Sequence, residues 1–559
     1  MTPGRFTLAL ILTVPALHAQ TLFVDAGLTT GANDGSTWDD AFQGSDGLRR
    51  ALAVVAADER IFVADGTYLP TTTGSIAESL VVPSRVALYG GFRGGEATPD
   101  ERPAFGSAAS ILSGDLQGND GPGFTGRADN SLHVVTIAGQ ATGVLLDGFV
   151  VRGGHAMGNY PDGDGGGVFG EGTVAELRDC LITDNQAAVG GGAAMEFAST
   201  TLTRCRFVGN QSSGSGGGLF LFFGACDAFG CRFEDNVSLS DGGAVVTSFI
   251  TGLHAHDCVF WRNRASGAGG AIYASNGADC FLTGCTLVAN QGALANACVV
   301  TSSVVHQAFV NCIVVRNGNG ATAASQIFPP QNISYSIITG LAAGAGNLDL
   351  DPLFEDEANG DFRLRAGSPA IDAGTNQVTV VTTFDAGGAR RRRDDPATPD
   401  TGPGAAPVVD IGAYESTTAF GTVFCAATPN STGRAGELDA YGSAAVATNN
   451  LRLVASSLPP GTFGVLLLAR SRAVQPLFAG SSGTLCLAAP FGRFSGPGQV
   501  QQASAAGELS LQPDLTASLP GLGALVAAGE SWSFQAWHRD IGPTAPTSNF
   551  SDGVRVTFE

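Results

Sequence analysis

The chain has 559 residues, and its 50 Asp and Glu residues against 29 Lys and Arg residues give a formal net charge of −21. This negative excess argues against nucleic acid or an anionic membrane surface as a partner. Only 14% of the residues are charged, 44% are hydrophobic and 79 are glycines. Because this apolar fraction is ordinary for a folded domain, the composition excludes disorder and favours a fold with many regular turns.

The first residues have the pattern of a secretory signal peptide. Arg5 supplies a positive charge, and the apolar run from Phe6 to Val14 is too short to span a bilayer. Residues 1–19 are therefore predicted to be a signal peptide, cleaved after Ala19 or, alternatively, after Ala16. No later segment is long and apolar enough to cross a membrane, so we expect a secreted or cell-surface protein associated with the outer membrane.

Residues 20–130 are predicted to form an N-terminal cap and the first coils of a solenoid. A strand over TLFVDAG is followed by a helix over 46–57 and a strand over 60–64. Leu48, Leu52 and Val55 share one face of the helix, which can cover the open edge of a sheet. This stretch resembles the opening coil and capping helix of many secreted bacterial β-helix proteins.

Residues 131–348 carry a repeat of 25 to 27 residues. A cysteine returns at Cys180, Cys205, Cys231, Cys258, Cys285 and Cys312. Five positions after each stands an asparagine, at Asn185, Asn210, Asn236, Asn263, Asn290 and Asn317. Short β-forming runs alternate with Gly-rich turns, which predicts an all-β fold, a right-handed parallel β-helix solenoid. The run 144–154 is predicted to be the first coil in this frame, with Gly148 in the cysteine place and Gly153 in the asparagine place.

The two sets of repeated residues are predicted to be structural ladders. Equivalent residues of successive coils lie about 4.8 Å apart, so each asparagine amide can donate to the next one. The cysteines would form a buried column, because a thiol is small and largely apolar. Neighbouring cysteines lie within disulfide range, but their parallel Cα–Cβ bonds fit a disulfide poorly, so we favour reduced thiols over pairing.

The repeats also resemble a known family. F-x-x-N recurs at Phe207, Phe233 and Phe260, and G-G-A followed by an aliphatic residue begins at Gly242 and Gly269. Alternating motifs of this kind resemble the passenger region of bacterial polymorphic outer membrane proteins over roughly residues 140–320. The resemblance implies a surface β-helix with a role in adhesion.

One coil is longer than the others, and the surplus lies near residues 155–164. In a solenoid an insertion becomes a loop on one face, often the face that binds a ligand. We predict ligand contacts from four side chains of this loop: His155, Tyr160, Asp162 and Asp164. The alternative is a solvated turn with no ligand.

Residues 349–416 are predicted to form a C-terminal cap. Four runs, 352–354, 361–364, 367–374 and 410–415, resemble the end-cap segment called choice-of-anchor Q, which implies attachment to a sorting device. Calcium is a possible ligand of four acidic residues in this segment: Asp349, Asp351, Asp356 and Asp361. No other cofactor is predicted. The basic run Arg390–Arg393 is predicted to be a solvated loop.

Residues 417–559 are predicted to form an antiparallel β-sandwich, because short alternating runs are separated by turn signals. Cys425 and Cys486 are the cysteines of this region and are predicted to form a disulfide. Trp532 and Phe534 should face the core. Trp537 then either points outward, where it could stack on a sugar, or is tucked under by a bulge.

The positions directly after the ladder cysteines should point outward, and they contain no carboxylates: Leu181, Arg206, Arg232, Val259, Thr286 and Ile313. We therefore expect a non-enzymatic protein with an adhesive, envelope-structural or glycan-binding role, whose partners are surface glycans or proteins. The alternative is a polysaccharide lyase or glycoside hydrolase that acts on polyuronates. Its sign would be three or more acids, or acids plus a basic residue, on one outer sheet.

Overall fold

The computed structural model describes residues 20–103, 106–249, 252–293, 298–302, 306–318, 322–380, 382–392, 398–404, 407–416, 419–504, 507–541 and 546–559. The predicted signal peptide lies outside these residues. The chain divides into two compact units, Met1–Glu415 and Ser416–Glu559. Among the described residues, no helix has the length and apolar character that crossing a membrane requires.

The first unit is a parallel β-solenoid, as the repeat predicts. Sheet 1 contains Thr21–Asp25, Phe42–Gln43, Arg60–Ala64, Ala87–Phe92, Val144–Asp147, Val174–Arg178, Ser199–Thr203, Ala225–Phe229, Leu253–His256, Cys280–Thr283, Gln307–Val310 and Ile333–Ser334. Sheet 2 contains Gly66–Tyr68, Ser110–Ser113, Phe149–Arg152, Leu181–Thr183, Arg206–Val208, Arg232–Glu234, Val259–Trp261, Thr286–Val288, Ile313–Val315 and Ile337–Ile338.

Two further parallel sheets complete each coil. Sheet 3 is narrow and contains His155–Ala156, Gln186–Ala187, Gln211–Ser212, Val237–Ser238, Arg264–Ala265 and Gln291–Gly292. Sheet 4 contains Leu80–Val82, Val135–Ile137, Val168–Glu171, Ala193–Glu196, Leu219–Phe222, Val245–Ser248, Ile272–Ser275, Val299–Ser302 and Ile327–Phe328. Inward-facing side chains of sheets 1, 2 and 4 form one continuous apolar core.

Helices lie at the ends of the coils and in turns. Helix Gly47–Val54 packs on the first strands of the solenoid with buried Leu48 and Ala51. The remaining helical turns are Pro99–Glu101, Arg127–Asp129, Ala323–Gln326, Glu357–Asn359, Val446–Thr448 and Phe478–Gly480.

The first coil in the ladder frame is shifted by one residue from the prediction. Val150 pairs with Leu181, so Phe149 rather than Gly148 occupies the cysteine place. Gly154 rather than Gly153 occupies the asparagine place, and its N–H donates to Asn185 Oδ1 at 2.9 Å. The predicted places were wrong because Gly148 belongs to the turn before the strand, where its φ is +84°.

The asparagines stack in the interior of the bend between sheets 2 and 3. Each Nδ2 donates to the Oδ1 of the next asparagine, from Asn185 to Asn317, at 3.1, 3.0, 2.9, 2.9 and 3.0 Å. Asn317 Nδ2 then donates to Gln326 Oε1 at 3.0 Å, so a glutamine from a short helix ends the column. The six ladder cysteines are free and buried.

The segment after the last coil lies along the side of the solenoid. We call residues 349–415 the lateral segment. Its hairpin pairs Phe354–Asp356 with Asp361–Leu364, and Phe362 and Ile411 pack on Val259 and other outward residues of sheet 2. Val259, Thr286 and Ile313, which the sequence places on the outer face, are therefore 0%, 0% and 1% exposed.

The basic run in the lateral segment is not a solvated loop, and this prediction was wrong. Arg390 and Arg391 are 5% and 3% exposed, Arg392 is exposed, and Arg393 lies outside the described residues. Arg391 lies 3.1 Å from Asp257 and 3.0 Å from Glu415. It is buried because carboxylates of the solenoid and of the same segment converge on it, which a local charge pattern does not reveal.

The second unit consists of antiparallel sheets. Sheet 5 contains Ala419–Phe420, Glu437–Tyr441, Arg452–Ser456 and Leu509–Leu511. Sheet 6 contains Thr422–Phe424, Phe463–Ala469, Gly492–Arg493, Ser531–Ile541 and Pro546–Thr557, with Gln501–Gln502 paired to its edge, and a hairpin joins Arg472–Pro476 to Thr484–Leu487. Leucines of sheet 5 pack on Trp532 and Phe534 of sheet 6, so the two sheets form a sandwich.

Cys425 and Cys486 form a disulfide with Cα atoms 6.3 Å apart. Trp537 follows a bulge in its strand and is half-buried against a second apolar cluster that includes Leu467, Leu485 and Phe550. The indole is therefore tucked under rather than projecting freely into solvent.

Candidate functional site

The longer coil folds its extra loop onto the outer side of sheet 4. Asp164 forms a β-bridge with Val189 and is 8% exposed, whereas Tyr160 is 55% exposed. His155 lies in sheet 3 beside Gln186, and Asp162 is exposed at the loop surface. Of the four predicted ligand contacts, the structure thus brings Tyr160 and Asp164 together and leaves His155 and Asp162 apart.

Two glutamates complete the group from adjacent rungs of sheet 4. Glu171 pairs with Glu196 across the parallel ladder, so their Cα atoms lie about 4.8 Å apart. The carboxyl groups of Asp164 and Glu196 lie close enough to influence each other's pKa, and the Tyr160 phenol lies close to the carboxyl groups of Glu171 and Glu196. We call Tyr160, Asp164, Glu171 and Glu196 the acid group.

Two carboxyl groups of the acid group, those of Asp164 and Glu196, have raised pKa values. Burial, followed by the neighbouring Asp164, raises the pKa of Glu196 to about 8. Burial also raises the pKa of Asp164, although the neighbouring Glu196 opposes this. Burial and the neighbouring Glu171 raise the pKa of the Tyr160 phenol to about 12. The pair therefore offers one protonated carboxyl and one carboxylate side by side.

A histidine packs under the loop. His133 Nδ1 lies 3.0 Å from Gly165 O, and its ring stacks on Phe169 with centroids 5.1 Å apart. Burial lowers the pKa of His133, so its neutral form is favoured. Its role in this arrangement is to hold the loop against sheet 4.

Aromatic side chains continue the same edge of sheet 4, from the rung of Glu196 over the next two rungs. We call Phe197, Phe222, Phe223 and Phe249 the aromatic ridge. Phe197 and Phe223 are 53% and 37% exposed. Ring centroids lie 5.4 Å apart between Phe197 and Phe223 and 4.7 Å apart between Phe223 and Phe249.

The ridge is directly continuous with the acid group. Phe222 stands one rung beyond Glu196 in the same outward column. Phe197, Phe223 and Phe249 occupy the turn that follows, each with a left-handed φ, at +51°, +48° and +68°. Such a conformation is uncommon for a bulky side chain, and here the fixed coil geometry holds it.

The four acids predicted for calcium each have a local partner. Asp349 accepts from Gly340 N at 3.0 Å and Asp356 from Asn359 N at 3.3 Å. Asp351 and Asp361 pair with Arg316 and Arg363 at 2.8 and 2.5 Å. Within the described ranges, no group of three or more His, Cys, Asp or Glu residues is arranged to hold a metal ion.

Sequence reasoning missed Glu171 and Glu196. They stand 25 residues apart, the length of one repeat, so the period alone places them on adjacent rungs. The outward positions predicted from the sequence directly follow the ladder cysteines and belong to sheet 2, so they do not include these two glutamates. The contribution of Asp164 depends on how the inserted loop folds, for which the repeat gives no signal.

Comparison with known proteins gives no family assignment. No protein-family model matches the chain. No curated protein matches it either.

Two solved structures with a low TM-score cover most of the chain. Full-length tailspike protein 2 from an Escherichia coli O157:H7 bacteriophage is 10% identical with a TM-score of 0.18, and the match covers 96% of this chain and 64% of that one. The enzymatically active domain of the tailspike protein 2 of bacteriophage CBA120 is 11% identical with a TM-score of 0.18, over 96% and 76% of the two chains. This chain thus spans less than two thirds of the full-length tailspike.

Proposed function

We propose that this protein is an exported glycan-binding protein, and that the glycan binds along the outer edge of sheet 4. The observation that carries the proposal is the continuity of the acid group with the aromatic ridge, since Glu171, Glu196 and Phe222 share one outward column. Sugar-binding sites combine a few convergent polar groups with aromatic surface, and both occur here on a rigid sheet.

The two parts of the surface have separate tasks. The Glu171 carboxylate and the Tyr160 phenol accept and donate hydrogen bonds with sugar hydroxyls. The exposed parts of Phe197 and Phe223 contact the apolar C–H groups of the next sugar unit. Because three carboxyl groups line one end, a neutral glycan fits this surface better than an anionic one.

Export is part of the proposal and has two supports. The N-terminal sequence has the features of a signal peptide. The Cys425–Cys486 disulfide also suits an oxidising compartment. Adhesion at the cell surface, as in polymorphic outer membrane proteins, and anchoring through a segment similar to choice-of-anchor Q are the finer forms of the proposal.

A glycan array with matched variants tests the binding proposal. The full chain should bind a defined set of neutral glycans, and Phe197→Ser and Glu171→Gln should each weaken that binding at least tenfold. Phe463→Ser is the control, because Phe463 is 50% exposed in the second unit, close to the 53% of Phe197. Equal binding by all three variants, or no glycan bound by the parent chain, argues against the proposal.

A second candidate function is glycoside hydrolysis, and the raised pKa of Glu196 favours it. A carboxyl that stays protonated at neutral pH can act as the general acid, which donates a proton to the glycosidic oxygen as the C–O bond breaks, while a water molecule forms the new C–O bond and releases a proton. A lyase is less favoured, because the acid group contains no cation to neutralise a uronate.

Release of reducing ends distinguishes the two candidates. If the chain hydrolyses a glycan that it binds, Glu196→Gln should lower the rate by at least a hundredfold and leave the affinity within a few fold. Binding without release of reducing ends leaves the binding function in place and removes the hydrolytic one.

A further inference from the structure

A groove on the outside of sheet 3 presents polar groups on three successive rungs. It has a volume of about 510 Å³, and its lining includes Val237, Ser238, Arg264, Ser266 and Gln291. Val237 pairs with Arg264, and Arg264 pairs with Gln291, so the groove runs along the solenoid axis. Its volume falls within the range of roughly 300–1,000 Å³ that small-molecule sites occupy.

Arg264 stands on the middle rung of this groove. Its side chain is exposed and makes no hydrogen bond or ion pair within the part of the chain that the structure describes. Burial raises the pKa of Asp235 and the charge of Arg264 opposes this rise slightly, but the ion pair of Asp235 is with Arg262, whose Nε lies 3.0 Å from its carboxylate. The guanidinium therefore keeps its donors available to a ligand.

Two neutral polar groups lie beside this cation. The Ser266 hydroxyl and the Gln291 carboxamide are exposed and have no side-chain hydrogen bond to any described residue. Gly292 and Ala293, which carry little or no side chain, line the same groove. Val237 is the largest apolar side chain of the lining, so the groove suits a polar ligand better than a lipid or an apolar peptide.

We propose that this groove binds a uronic acid residue of a polysaccharide. The planar guanidinium of Arg264 matches a carboxylate with two parallel N–H···O bonds. Ser266 and Gln291 then hydrogen-bond the ring hydroxyls of the sugar. The net charge of −21 disfavours anionic ligands over most of the surface. Arg264 offsets this repulsion locally, so charge complementarity directs an anionic ligand to this groove. The site lies on sheet 3 and is independent of the acid group and aromatic ridge of sheet 4.

Isothermal titration of the full chain with a short oligogalacturonate, and with a neutral galactose oligomer of equal length, tests the proposal. The oligogalacturonate should bind, and Arg264→Gln should weaken its binding at least tenfold. Arg264→Lys keeps the positive charge but lacks the two parallel N–H donors of the guanidinium, so it should give an intermediate affinity. Added salt should weaken the interaction, since the contact is ionic and exposed.

Two control variants separate this site from other causes. Arg152→Gln removes an exposed arginine from the strand Phe149–Arg152 of sheet 2 and should leave the affinity for oligogalacturonate unchanged. Phe223→Ser alters the sheet 4 surface and should also leave it unchanged. The proposal is overturned if the parent chain does not bind oligogalacturonate, if Arg264→Gln binds it equally well, or if Arg152→Gln weakens binding as much as Arg264→Gln.

Discussion

The guanidinium of Arg391 lies 3.1 Å from the carboxylate of Asp257, and both side chains are only 4% exposed. Asp257 belongs to a turn of the solenoid and Arg391 to the lateral segment. Arg391 also donates to the carbonyl oxygens of Asp410 and Gly412 at 3.1 and 2.7 Å. This buried cation therefore fastens the lateral segment to the solenoid.

Replacing Arg391 should weaken the first unit strongly. Arg391→Leu leaves the buried Asp257 and Glu415 without their partner, and breaking a buried pair in this way costs about 3–5 kcal/mol. Arg363→Leu is the control, because its pair with Asp361 is 67% and 30% exposed and should cost no more than about 1 kcal/mol. Urea unfolding followed by circular dichroism measures both, and equal losses would contradict a special role for Arg391.

Interrupting the asparagine column should also destabilise the solenoid. Asn236 accepts from Asn210 and donates to Asn263 and to Phe207 O at 2.9 and 2.8 Å, all in the buried bend. Asn236→Ala leaves these groups without a hydrogen-bond partner, and each unsatisfied buried group costs about 1–3 kcal/mol of stability. Gln211→Ala, which removes a half-buried amide of sheet 3, should cost much less. Thermal unfolding of the two variants makes the comparison.

The solenoid was predictable from the sequence, but the packing of the lateral segment on the outer face of sheet 2 was not. Cys205 and Asn210 recur as Cys231 and Asn236 one repeat later, and this recurrence identifies the residues that stack, because each repeat forms one coil. The burial of Arg391 depends on contacts with Asp257, 134 positions earlier, for which no repeat gives a register. Asp164 and Glu196 meet for a similar reason, through the fold of one inserted loop.

The free energy of unfolding should fall as pH rises through the range in which Glu196 is protonated in the folded chain but ionised in the unfolded chain. In the unfolded chain a glutamate titrates near pH 4.3, whereas burial and Asp164 raise the folded pKa of Glu196 to about 8. The folded state therefore binds more protons between about pH 4.5 and 8, and the unfolding free energy decreases with pH over that window.

Glu196→Gln isolates this effect, since an amide stays neutral at every pH. The melting temperature of the variant relative to the parent chain should rise from pH 4.5 to pH 8, while the exposed control Glu508→Gln shows a constant difference. A parallel shift of Glu196→Gln at all pH values would show that Glu196 titrates normally.

The free thiols should be unreactive until the solenoid unfolds, because all nine free cysteines are buried. Burial also raises the pKa of Cys226 and Cys298, which lie outside the ladder, well above that of an exposed thiol. Ellman's reagent should detect no thiol in the native chain and nine in denaturant without reductant, because Cys425 and Cys486 are paired. Rapid labelling of several thiols in the native chain would contradict the buried column.

A crystal structure of the chain soaked with a neutral oligosaccharide selected on the array tests the central proposal most directly. We predict electron density for the sugar on the outer edge of sheet 4, within hydrogen-bonding distance of Glu171 or Tyr160 and in contact with Phe197. A sugar bound on any other face, with this edge empty at saturating ligand, would contradict it.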